Sequence, residues 1–113
     1  MKTQLIGRKK SQETKRIERY LKERRLEHQF VDIDARPLGP RELDTVAEAV
    51  GGHGTLIDVE SKVYRKRGME YMEFDPRDEL LEHPELLRVP IVRCDAGVAV
   101  CPDTATLDAL LGS

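Results

Sequence analysis

The chain has 113 residues, 35% charged and 39% hydrophobic, with a formal net charge of -2 and two cysteines. This length has room for one domain, and the composition excludes a disordered chain. No apolar run nears the roughly 20 residues that cross a bilayer, and two cysteines cannot build a disulfide framework.

Thr3–Gly7 reads as a short buried strand with Leu5 and Ile6 at its core. From Ser11 to about Arg25 the apolar residues Ile17, Tyr20 and Leu21 fall at i, i+3, i+4, one face of a helix. His28–Ile33 reads as a second strand, so the opening is a βαβ unit with parallel strands. After a loop over 34–39, Pro40 suits a first helical turn. That helix runs to about Val50, with Leu43, Val46, Ala47 and Val50 inward, and Gly51-Gly52 stops it. Gly51-Gly52-His53-Gly54 is a helix stop and loop, since a phosphate loop needs a Gly-Lys-Ser/Thr ending and a preceding strand.

Glu60–Arg67 is expected to be a short basic helix ended by Gly68. Asp75 caps another, with Pro76 in its first turn and Leu80 and Leu81 inward, and a further helical turn comes over 83–87. Pro90–Cys94 and Val98–Cys101 form a hairpin joined by Asp95-Ala96-Gly97. Asp103 caps a last helix, Thr104–Leu111, with Gly112 just past its end. The order βαβ, helices, ββα predicts an α/β, thioredoxin-like fold with a mixed four-stranded sheet in a single domain over 1–113. Its parts are the βαβ unit (1–34), a helical segment (35–88), and the hairpin with its helix (89–113).

Charge is distributed unevenly. Residues 1–27 carry ten Lys/Arg against four Glu, a surplus of six, and the remainder has a deficit of eight. Such a basic end is either a solvated helix face with local Glu partners or an attractor of anions or an acidic partner. Tyr20 is the only aromatic before Phe30, which disfavours stacking on nucleic acid. His28, His53 and His83 lack metal-ligand spacing, as do the cysteines, so no metal is expected. Met1–Gly7 is too short for a secretory leader, and the expected compartment is the cytoplasm.

Three sites carry candidate chemistry. Ser11 opens the first helix, where a serine is an excellent N-cap; a catalytic serine would need a histidine base that the topology does not supply. Arg8, Lys9 and Lys10 are either a solvated loop or the holder of a carboxylate, phosphate or glutathione-like anion. Cys101, at the end of the last strand, is either a small buried hydrophobe or a thiol beside the Ser11 turn. Cys94 sits by the hairpin turn and does not face it, so no bridge joins the two.

Laid out this way, the chain resembles the arsenate reductase (ArsC)/Spx family of thioredoxin-like proteins over nearly its whole length. Ser11-Gln12-Glu13-Thr14-Lys15-Arg16 lines up with that family's Cys-x-x-Cys or Cys-x-x-Thr/Ser motif. The run from Glu18 to Ile33 is similar to its first helix and second strand, and Tyr64 with Gly68 to its Tyr-x-x-x-Gly helix. Residues 80–92, ending Arg88-Val89-Pro90-Ile91-Val92, look like its helix leading into Arg-Pro-Ile-Val.

The resemblance implies that Ser11 stands where the attacking cysteine belongs, Thr14 where the resolving cysteine belongs, and that Pro90 follows a cis peptide. It implies no resident cofactor, with glutathione as the small molecule of the chemistry. Two departures remove arsenate reduction. Ser11 cannot form a mixed disulfide, and Val89 occupies the place of an arginine before the proline, Arg88 being displaced by one residue. The expectation is a redox-family protein without arsenate reductase activity. The alternative is a non-catalytic, Spx-like regulatory domain that meets an acidic protein partner.

Overall fold

In the computed structural model, which describes residues 2–112, four strands form one mixed sheet: β1 (Gln4–Gly7), β2 (Gln29–Asp32), β3 (Ile91–Cys94) and β4 (Gly97–Val100). Their order is β2-β1-β3-β4, with β1 parallel to β2 and antiparallel to β3, and β3 antiparallel to β4. A parallel pair needs a crossover, and α1 (Gln12–Glu23) supplies it. This is the expected α/β, thioredoxin-like architecture with its mixed four-stranded sheet.

The chain divides into two compact units, one of Met1–Arg36 with Val89–Ser113 and one of Pro37–Arg88. In the first, Leu5 pairs across to Phe30 on one side and Val92 on the other, so these three share a face of the sheet. Against that face pack Ile17, Tyr20 and Leu21 of α1 and Leu107 of α5 (Thr104–Leu110), while Leu110 and Leu111 cover its margin. The 3.6-residue spacing of Ile17, Tyr20 and Leu21 is what turns this stripe inward.

In the second unit, α2 (Pro40–Ala49), α3 (Lys62–Lys66) and α4 (Pro76–Glu82) are joined by 3₁₀ turns at His53–Leu56 and Met69–Tyr71, and a third lies at Pro84–Leu86. Leu43, Val46, Ala47, Leu56, Met69, Leu80 and Leu86 are buried. An antiparallel bridge ties Ile57 to Leu87, flanked by Asp58 N–H donating to Leu86 O and Arg88 N–H to Leu56 O, each at 2.8 Å. Arg67, at the C-cap of α3, reaches Glu79 of α4 at 2.7 Å.

Five expectations are corrected. The basic helix spans Lys62–Lys66 rather than Glu60–Arg67, because Ser61 caps it by accepting from Tyr64 N–H. Val50 and Leu81, both expected inward, are only half-buried: Val50 is the C-cap of α2, and Leu80 is the inward residue of α4. Gly97 belongs to β4, paired with Cys94, so the hairpin turn is the two residues Asp95-Ala96. Cys101 is not a buried hydrophobe: β4 stops at Val100, and Cys101 turns out of the strand at φ 48 and is exposed.

Candidate active-site turn

The sheet register decides what gathers at one end of the first unit. Gly7 pairs with Asp32, Ile6 with Ile91, and Ile91 with Val100. The chain therefore leaves the sheet at a common end after Gly7, after Asp32, before Ile91 and after Val100. The Arg8–Ser11 turn, Asp34, Pro90 and Cys101 are carried there, and Cys94 lies at the opposite end.

Ser11 is the N-cap of α1, in extended conformation, with Oγ accepting from Thr14 N–H at 3.1 Å. Its own N–H donates to Arg8 O at 3.0 Å, which closes the turn. Thr14 is 2% exposed, and its Oγ1 accepts from Arg8 N–H at 3.4 Å. Its side chain lies directly on Gly7, where an added Cβ would stand 2.5 Å from both Cγ2 and Oγ1. Thr14 thus locks the end of β1 to the first turn of α1.

The three cations of the turn are placed differently. The Arg8 side chain is only 18% exposed, and its Nε donates to Asp34 Oδ1 at 3.3 Å. Lys9 and Lys10 are exposed, and Lys9 joins Arg8 in lining a cavity beside α1 that does not include Lys10. Only the register reveals the Arg8–Asp34 pairing, since 26 residues separate the two in sequence.

Pro90 is buried, and the Val89–Pro90 peptide is cis. Pro90 O accepts from Cys101 N–H at 2.7 Å, and Cys101 Sγ donates to Val89 O at 3.4 Å. An accessible thiol therefore sits on the peptide that precedes the proline. Arg88 is held in the second unit, its Nη1 donating to Thr55 O at 3.2 Å. The residue before Pro90 offers no cation.

One polar cluster was not legible in the sequence. Asp44 of α2 receives Arg77 in a bidentate grip, Nε to Oδ1 at 2.8 Å and Nη2 to Oδ2 at 3.2 Å, and Oδ1 also meets His53 Nε2 at 2.7 Å. The Arg77 hydrogen bonds, seconded by that of His53, hold the Asp44 carboxyl down at about 2. Because the folded value lies below the ordinary 3.8, this carboxylate stabilises the fold above about pH 4. The contribution is lost as pH falls through about 2. Asp44→Asn is thus expected to unfold at lower urea than the parent at neutral pH, and the gap should close by about pH 2. Paired urea titrations at the two pH values check this. No spacing rule announces the cluster, because its members lie on three separate helical elements. Among the described residues no group of three His, Cys, Asp or Glu is placed to hold a metal.

No protein-family model and no curated protein matches the sequence. Solved structures do match its fold. The YFFB protein superposes with a TM-score of 0.86 at 18% identity, over 97% of this chain and 99% of that one. An arsenate reductase (ArsC) related protein from Brucella melitensis gives 0.72 at 19% identity, over 100% and 97%. Arsenate reductase from Vibrio cholerae gives 0.79 at 15% identity, over 98% and 96%. The fold of this chain is the one these three structures share, end to end. Among the described residues no helix is long and apolar enough to cross a membrane.

Proposed function

We propose that this chain is an arsenate reductase-like, cytoplasmic member of the thiol-redox lineage whose reactive-sulfur position is filled by Ser11, and that it does not reduce arsenate. The observation that carries this reading is the Ser11 Oγ bond to Thr14 N–H, which commits the hydroxyl to capping α1. A thiolate at a helix start is stabilised by the unpaired N–H groups and nearby cations. A hydroxyl is far too weak an acid to ionise by those means, and it needs a base. The histidines are engaged elsewhere: His28 with Leu26 O, His53 with Asp44 and His83 with Glu85. The absence of a guanidinium immediately before Pro90 also leaves a bound oxyanion without its counter-charge.

The test pairs the parent protein with Ser11→Cys. The parent, given arsenate and reduced glutathione, is expected to yield no arsenite. With glutathione disulfide, the introduced thiolate should attack one sulfur, form a mixed disulfide and release one glutathione thiolate. Intact-mass and peptide mass spectrometry would then show a new adduct at position 11 that the parent lacks. Arsenite from the parent would overturn the proposal, as would a thiol at position 11 that reacts no faster than free cysteine.

A second reading is favoured by the charge surplus of residues 1–27: a regulatory domain that meets an acidic protein partner. An unreactive Ser11→Cys protein together with salt-sensitive binding to an acidic protein would select it.

A further inference from the structure

We propose that the cavity between α1 and the β2 edge of the sheet binds a small organic anion whose charged group is carried on a flat apolar body. The cavity encloses about 310 Å³, at the small end of ligand pockets, and is lined by Arg8, Lys9, Thr14, Lys15, Glu18 and Phe30. Among the described residues β2 is an edge strand, paired only with β1, so no further strand covers the outer side of Phe30. Its half-buried ring supplies the apolar wall.

The charges around that wall do not cancel. Arg8 is paired with Asp34 at 3.3 Å, and Glu18 with Lys22 at 3.7 Å. Those two pairs balance internally. Lys9 and Lys15 are exposed and form no ion pair among the described residues, so two positive charges remain at the mouth of an apolar cavity. An inorganic anion would leave the ring side uncovered, and a neutral aromatic would leave the lysines unanswered. An aryl phosphate or carboxylate satisfies both. The site does not use the Ser11 side chain, so it stands whether or not the redox reading does.

The probe is 1-naphthyl phosphate, followed through backbone amide shifts at low salt, with 1-naphthol and inorganic phosphate alongside. Saturable shifts are expected at Thr14, Lys15 and Phe30, with both comparison compounds binding at least about tenfold more weakly. Lys9→Gln/Lys15→Gln, two exposed changes that should leave the unfolding midpoint in place, is expected to weaken the aryl phosphate by about tenfold or more. Shifts centred elsewhere, equal binding of the neutral naphthol, or unchanged affinity in the double variant would each overturn the proposal.

Discussion

Gly7→Ala is expected to lower the thermal unfolding midpoint by roughly 10 °C, from an overpacking cost of about 1–3 kcal/mol. The new methyl would stand 2.5 Å from Thr14 Cγ2 and 2.5 Å from Oγ1, with Thr14 Cβ at 3.1 Å. Threonine fills two of its three staggered positions, so one χ1 rotation clears at most one of these clashes. Backbone movement is resisted because Thr14 is buried and tied to Ser11 and Arg8. Gly7 is therefore required for space. Thermal melts of Gly7→Ala, Thr14→Ala and the double variant measure the coupling. The double variant should recover part of the loss, since the clashing atoms are gone. Strictly additive losses would show that Thr14 is not what excludes a side chain at Gly7.

Leu107→Ala carries the largest expected loss, about 3–5 kcal/mol. A seven-residue helix has no independent stability, and α5 has Leu107 as its one buried anchor. That side chain is 0% exposed and closes the cluster of Leu5, Ile17, Leu21 and Val92. The Asp103 cap, whose carboxylate accepts from Thr106 N–H at 2.7 Å, cannot compensate for it. Two reporters track the detachment of α5. Cys94 is buried with its Sγ directed to Leu110 O at 3.9 Å, whereas Cys101 is exposed. The parent should therefore alkylate at Cys101 alone and Leu107→Ala at both cysteines. Burial, with the hydrogen bond to Asp108 second, pushes Tyr20 ionisation up, and in the variant it should return toward its ordinary range. Protection of Cys94 equal to the parent's would mean that Leu107 is not the anchor.

Several parts of the fold were legible because their causes are local. The stripe of Ile17, Tyr20 and Leu21 fixes a helix face whatever packs on it, and Asp75, Asp103 and Ser11 each cap the helix that begins at the very next residue. Pro40 and Gly51-Gly52 bracket α2 for the same kind of reason, a fixed φ at one end and positive φ at the other. The errors came where competition is settled within a residue or two. α3 begins after Ser61 rather than at Glu60 because the Ser61 hydroxyl caps it by accepting from Tyr64 N–H. Cys101 ends a strand-like apolar run, yet the left-handed turn at its own backbone carries it out of the sheet and into solvent.

The sequence alone determined the order of elements, the mixed sheet that the order requires, and the presence of a hydroxyl at the start of the first helix. Periodicity, capping chemistry and side-chain identity act within a few residues and need no partner from afar. The tertiary structure alone decided that Arg8 answers to Asp34, that Asp44 is shared by His53 and Arg77, and that a free sulfur rests on the peptide before Pro90. Those relations join residues 9 to 33 positions apart through strand register and helix packing, and no short-range rule in a linear chain encodes them.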